Sequence, residues 1–292
     1  MKIGVGLSVA SQEAKQNQFY PQDALVVQIE VPAGAVDSSK NYYKFLTSKA
    51  RSYTVDWGDG TVEVKTGTET TVAHTYTAAG TYIIQLYDIE ASTDKGLNAL
   101  SWGSGTSYTG SANVVTDIIQ WGNWSWTNMN KLFFDCENLG TISAGDIPNL
   151  SASNCLMTSL FENCGTNLVV HPTISHWQTG AVIDMRYMFK STEAMNGSNP
   201  EQVNIGNWDV TGLTAAKGCT NMFYGGTSES NWAISTVNYD KLLIGWGNQA
   251  GSVASGVAFS ARSTKYTGGG AAATGRAALV SAGWTITDGG TV

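Results

Sequence analysis

Charge is scarce in this chain. Only 13% of its 292 residues are Asp, Glu, Lys or Arg, the formal net charge is -7, and no long run of basic residues occurs. A nucleic acid or an anionic membrane needs a cationic surface that displaces counterions, so neither is an expected partner. Long hydrophobic runs are missing as well: no stretch approaches the roughly 20 apolar residues that cross a bilayer, and no lipidation or sorting tail is recognised, so no membrane insertion is expected. The opening "MKIGVGLSVASQEAK" imitates a signal peptide, but two Gly and a Ser break its apolar region. The expectation is a product made in a cytoplasm unless an export signal stands upstream. Histidine and cysteine are few, at 3 and 4 copies, which narrows the room for nucleophilic or metal chemistry. What is plentiful is Gly, Thr, Ser, Asn and Trp within a 42% apolar composition, enough for a real core and typical of β-rich, loop-rich surface or virion proteins.

The stretch "YTVDWGDGTVEVK" at 53–65 alternates apolar and polar residues on both sides of Gly58-Asp59-Gly60. Period two around a turn that tolerates positive φ is the signature of a β-hairpin. A second pair is expected from "TVAHTYT" and "TYIIQLYDI", divided at Ala79-Gly80, with "ALVVQIEVPAGA" supplying earlier strands and "DSSKNYYKFLTSKA" a connecting loop. Such spacing suits a small antiparallel sandwich. The turn Trp57, Gly58, Asp59, Gly60 and Thr61, followed by His74 to Tyr76 and Gly80 to Tyr82, resembles a PKD-type immunoglobulin-like domain. Asp56 and Asp59 could share a calcium ion, but local backbone hydrogen bonding accounts for Asp in a Gly-rich turn and is preferred. His74 is read as a strand residue with a hydrogen-bond partner.

Downstream, one segment recurs. Phe133, Phe161, Phe189 and Phe223 follow one another at steps of 28, 28 and 34 residues. Four residues before them stand Met129, Met157, Met185 and Cys219, and one before them Leu132, Leu160, Met188 and Met222. Cys136, Cys164, Thr192 and Gly226 stand three residues after. Apolar or small residues at i, i+3, i+4 and i+7 predict one face of a two-turn helix. The longer last step holds "MNGSNPEQ", an expected surface insertion. Between these segments "IIQW", "ISHW" and "IGNW" recur, ending at Trp121, Trp177 and Trp208, and are read as short extended pieces; the second interval carries "IPNL", with Leu150 in place of the Trp. Strand, turn and helix repeated in this way predict a solenoid whose coils bury one another's apolar faces.

Cys136 and Cys164 then fall on the buried face as small apolar fillers. Helices about 8–10 Å apart are too distant for a disulfide between equivalent positions, which wants Cα atoms within about 7 Å. No C-x-x-C spacing marks a zinc site, and His171 and His176 complete no ligand pattern, so no metal is expected and structural free thiols are preferred. The motifs "QWGNWSWTNMNKLF", "IDMRYMF", "IGNWDVTG" and "CTNMFYGG" resemble the BspA-type leucine-rich-repeat family of bacterial surface proteins, also met in bacteriophage structural proteins, over about 118 to 246. That resemblance implies non-catalytic adhesion or surface display. The tail predicts helix at 239–246, strand at 257–260, Ala-rich helix at 271–282 and strand at 284–287, a cap for the last coil.

No Ser-His-Asp or Cys-His arrangement is motivated by the spacing, and "GTSYTGSAN" and "TGGGAAATG" lack the Lys-Ser/Thr ending of a phosphate-binding loop. The expected class is multidomain: an N-terminal arm (1–20), an all-β immunoglobulin-like PKD sandwich (21–92), a linker into the solenoid (93–117), α/β leucine-rich-repeat-like coils (118–238) and an α/β capping region (239–292). The expected function is non-enzymatic and needs no cofactors: a bacteriophage virion protein on the particle surface, as capsid decoration, head fibre or tail-associated adhesion protein. Its partners would be other virion proteins and a host surface glycan or protein, with a homo-oligomer left open. Repeat-register Trp121, Trp177 and Trp208 are read as core, whereas Trp124 and Trp126 are candidate binding residues, because exposed aromatic faces give large contact area. The alternatives are a secreted or cell-surface bacterial adhesin and, third, a carbohydrate-active enzyme with two facing carboxylates.

Overall fold

The computed structural model describes residues 20–32, 42–47, 52–65, 71–88, 96–97, 100–101, 113–165, 168–192, 204–224 and 234–292. Residues 1–19 of the expected arm, the insertion "MNGSNPEQ" and most of the expected linker lie outside them. The described part is rich in β-structure, with two α-helices near its C-terminal end. No described helix is long and apolar enough to cross a membrane.

The first strands are β1 (Leu25–Val31), β2 (Tyr42–Thr47), β3 (Tyr53–Asp56), β4 (Val62–Lys65), β5 (Thr71–Thr75), β6 (Gly80–Asp88), β7 (Gly96–Leu97) and β8 (Leu100–Ser101). β3 and β4 form the expected hairpin, Tyr53 opposite Lys65 and Asp56 opposite Val62. The Trp57 N–H donates to Thr61 O at 3.0 Å and closes the turn. Gly58 and Gly60 hold φ of 78° and 93°, and a Cβ on Gly58 would stand 2.6 Å from Ile83 O. At Gly58 both the backbone twist and the close approach demand glycine. β5 and β6, expected as a hairpin, instead lie in different sheets: β5 pairs with β2, and β6 pairs with β1 and β3. The chain between 75 and 80 passes from one sheet to the other. The stretch expected as a loop at 37–50 holds β2, the middle strand of the order β5-β2-β8.

β9 (Val115–Gln120), β10 (Ser125–Trp126), β11 (Thr141–Ile142), β12 (Cys155–Leu156), β13 (Val169–Val170) and β14 (Val182–Asp184) belong to the repeats. β9 runs antiparallel to β1 on one side and parallel to β11 on the other, and β11 runs parallel to β13. One seven-stranded sheet, β13-β11-β9-β1-β6-β3-β4, therefore joins the first strands to the repeats. Residues 115–117 of the expected linker are strand within that sheet. β1 alternates: Leu25, Val27, Ile29 and Val31 are buried on one face, while on the other Val26 is buried, Gln28 half-buried and Glu30 exposed. Leu25, Val27, Ile29 and Val31 enter the main core, while Val26 packs with Tyr20 and Ala24 on the other side.

The recurring Met-x-x-Leu-Phe-x-x-Cys segments are buried as expected but are not helices, which corrects the sequence reading. Lys131, Asp135, Ser159, Asn163, Tyr187, Ser191 and Asn221 have φ of 55–60°, a left-handed conformation that ends a right-handed helix. Within one segment Leu132 N–H donates to Met129 O and Cys136 N–H to Phe133 O, so each is a chain of tight turns. Alternate amides point to the next coil: Met129, Lys131, Phe133 and Asp135 donate to Leu156, Thr158, Leu160 and Glu162. Met157, Ser159, Phe161 and Asn163 repeat the pattern onto Asp184, Arg186, Met188 and Lys190, and Met185, Tyr187, Phe189 and Ser191 onto Gly218, Thr220, Met222 and Tyr224. Of the extended pieces expected at "IIQW", "ISHW" and "IGNW", the first ends β9, the second lies in a 3-10 helix at Pro172–His176, and the third is a turn.

The end of the chain forms α1 (Thr236–Gly247), β15 (Ala258–Ser260), α2 (Ala271–Ser281) and β16 (Thr285–Thr287), within a few residues of the expected elements. Ser235 Oγ accepts the Asn238 N–H at 3.3 Å and caps α1. β15 pairs parallel with β16, and Cys219 N–H donates to Ala258 O, so the cap continues the coil ladder.

Candidate functional site

The core register of the repeats is borne by side-chain identity. Met129, Leu132, Phe133, Cys136, Met157, Leu160, Phe161, Met185, Met188, Cys219 and Met222 are fully enclosed, with Cys164, Phe189 and Phe223 close to it. Phe133, Phe161, Phe189 and Phe223 stack in a column at centroid distances of 5.9, 5.7 and 5.9 Å with planes within 18° of parallel. Phe259 ends the column edge-on at 84°, an arrangement favoured by ring quadrupoles. Beside it Trp121 meets Trp177 edge-on at 5.2 Å, and Trp177 stacks on Trp208 at 5.8 Å. The candidate binding residues Trp124 and Trp126 are corrected by their surroundings: they are 2% and 0% exposed. The Trp124 indole N–H donates to Leu86 O at 3.3 Å, so this aromatic ties the repeats to β6 and offers no face to a ligand.

All four cysteines are free and buried. Burial pushes the Cys155 thiol up to about 12 and those of Cys136 and Cys164 well above their ordinary value. The Cys164 thiol also lies 3.1 Å from Phe133 O, its acceptor in the neighbouring coil. Because the thiolate is the reactive form, all four should resist an aromatic disulfide reagent at pH 8 in the folded chain and react together in denaturant. Stoichiometric labelling before unfolding would contradict their place in the core.

At the sandwich turn, Asp56 Oδ1 accepts the Gly58 N–H and Asp59 Oδ1 the Thr61 N–H, at 2.9 and 3.0 Å. Asp59 Oδ2 lies 2.7 Å from His74 Nε2, and the His74 ring stacks on Trp57 at 4.9 Å. Both carboxylates thus serve the local backbone, and among the described residues no group of three His, Cys, Asp or Glu could hold a metal ion. Burial alone would raise the Asp59 carboxyl, but hydrogen bonds from His74 and Thr61, with the His74 charge, outweigh it and hold the group below its ordinary value. A carboxyl lowered in the folded state adds stability that is full above its unfolded pKa, near 4, and is lost as pH falls through the folded value. The urea midpoint is therefore expected to drop below about pH 4, and Asp59→Asn to flatten that drop. Superimposable pH profiles for the two proteins would show that the Asp59–His74 contact is not coupled to folding.

The coils' outer surface carries cation and aromatic pairs: Lys131 over Phe134, Lys190 over Tyr187 and Arg262 over Tyr224, at 4.9, 5.4 and 3.8 Å. Lys190 Nζ also pairs with Glu162 Oε1 of the preceding coil at 2.6 Å. On another side the surface is interrupted by a cleft of about 420 Å3. Its floor is Leu150 and Trp177, 1% and 2% exposed, and its rim includes Ser151, His176, Gln178, Asn207 and Asp209. The cleft lies where the second coil has Leu150 instead of the repeat's Trp. Sequence reasoning registered that missing Trp and, of the rim residues, named only His176, as a histidine that completes no ligand pattern; the gap in the repeat was the signal that could have found the others. Trp208 and Trp246 donate their indole N–H groups to Ile174 O and Ile205 O in earlier coils. The Trp177 indole N–H has no such acceptor.

Comparison with known proteins adds one result: residues 106–237 match the model of a family described as Mycoplasma protein of unknown function, DUF285. No curated protein and no solved structure matches the chain.

Proposed function

We propose that the chain is a non-enzymatic structural protein of a bacteriophage virion, displayed on the particle as capsid decoration, head fibre or tail-associated adhesion protein. In this reading the first part is a PKD-type immunoglobulin-like sandwich and the second a short leucine-rich-repeat-like solenoid of BspA type closed by an α/β cap. The observation that supports it most is the coil ladder. Backbone amides of three successive coils donate in register to the coil that follows, and a column of parallel phenylalanines fills the interior. Such a stack resists bending and presents repeated outer positions at fixed intervals, which suits a scaffold for display. The sandwich serves as the base and the coils as the surface offered to a host glycan or protein.

A cell-surface bacterial adhesin is the second reading, favoured by the match to a family described from Mycoplasma over the same coils. Electron microscopy of the native source with immunogold label separates the two. Ordered label on a phage head or tail supports the virion reading, and label on a bacterial envelope replaces it with the adhesin.

A further inference from the structure

We infer that the cleft over Leu150 and Trp177 is a binding site for one neutral sugar unit, the contact through which the displayed surface recognises a glycan. The inference rests on the display reading, since a single shallow sugar site gains useful strength only when many copies act together. Its volume of about 420 Å3 is at the small end of ligand clefts. No lysine or arginine lines it, and Asp209 stands on its exposed rim, so an anionic ligand would be repelled.

The rim groups are partly committed within the protein. Gln178 Nε2 donates to His176 O at 2.9 Å, and Asp209 Oδ1 accepts from Thr211 N–H and Oγ–H at 2.9 and 2.6 Å. The Asn207 amide, the Gln178 side-chain carbonyl, His176 Nε2 and Asp209 Oδ2 have no hydrogen-bond partner among the described residues. The rim thus offers both donors and acceptors above an apolar floor, which sugar hydroxyls can satisfy because each hydroxyl both donates and accepts. Leu150 lines the cleft at the repeat position where other coils carry Trp. Behind that floor the Trp177 indole N–H is a buried donor without an acceptor, a group that natural interiors normally satisfy. That N–H is consequently a reporter built into the floor.

The test is a titration of the full chain with methyl glucoside, methyl galactoside, N-acetylglucosamine and, as an anionic control, glucuronate. It is followed through the Trp177 indole N–H signal in two-dimensional NMR, assigned with Trp177→Phe. At least one neutral sugar should shift the signal saturably, with half-saturation in the millimolar range, and glucuronate should not. Asn207→Ala should weaken binding about tenfold, as loss of one hydrogen bond does at most, and Ser151→Trp should abolish it. Both substitutions fall on exposed positions, and thermal melts matching the parent confirm that the fold is intact. The inference is overturned by absence of a saturable shift with every neutral sugar, by a shift that survives Ser151→Trp, or by tighter binding of glucuronate. A null titration removes the sugar site alone, because immunogold labelling decides display without reference to any ligand.

Discussion

Phe161→Ala is expected to lower the free energy of unfolding by roughly 3–5 kcal/mol, the range for deleting a fully buried aromatic ring. Phe161 is 0% exposed and lies between Phe133 and Phe189 in the column, so the void it leaves is walled by rings held in their own coils. Those coils are fixed to one another by backbone hydrogen bonds at 133, 161 and 189, which limits how far they can collapse into the space. Phe134, one residue from the column and only half-buried, is the control: its alanine variant should cost less than about 1 kcal/mol. Urea unfolding followed by tryptophan fluorescence reads both. A loss below about 1 kcal/mol for Phe161→Ala would show that the column is not the core of the stack.

Gly275→Ala reverses the usual sign of its class. In the interior of a helix, alanine is normally better than glycine by about 1 kcal/mol. Here a Cβ on Gly275 would stand 2.9 Å from the Leu243 carbonyl carbon and 3.2 Å from Ile244 Cα, and a Cβ on Gly247 would stand 2.8 Å from the Gly275 carbonyl carbon. The two helices meet backbone to backbone, and the obstructing atoms are main chain, which cannot swing aside as a flexible side chain can. Separating α1 from α2 would pull Leu243, Trp246 and Leu279 out of the closing core. The expected outcome is destabilisation by about 3 kcal/mol, at the upper end for overpacking. A Gly275→Ala protein with an unfolding midpoint at or above that of the parent would refute the close approach.

The sequence showed where the repeats are buried far better than what backbone they use. The i, i+3, i+4, i+7 spacing of Met157, Leu160, Phe161 and Cys164 belongs equally to a helix and to successive tight turns, since both return the chain every three to four residues. What separates them is left-handed backbone at positions such as Asp135, Asn163 and Asn221. Asp and Asn tolerate it, but Lys131 and Tyr187 give no such sign. They adopt it at a cost of order 1–2 kcal/mol each, offset by the hydrogen bonds that Lys131 and Tyr187 donate to the next coil. The joined sheet was illegible for another reason: β9 pairs with a strand nearly the whole sandwich away in sequence, and alternation within a strand never names its neighbour. The cap was legible because its helices and strands obey local periods. Trp124 and Trp126 misled because a run of aromatics beside a turn resembles a display patch, and only the course of the chain around them shows that it is enclosed.

The position of β1 between β6 and β9 has a consequence for the order in which the protein is made. Of these three strands β1 leaves the ribosome first, gains β6 once residue 88 has appeared, and waits for residues 115–120 before its second edge is paired. Until then an apolar strand at the centre of the finished sheet is an outer one, with its amides and carbonyls open to any neighbouring chain. A fragment cut at residue 92, where the sandwich ends by sequence, would keep that open edge permanently. The smallest piece that closes it extends through β9, so the strand that opens the repeats completes the sheet of the first strands.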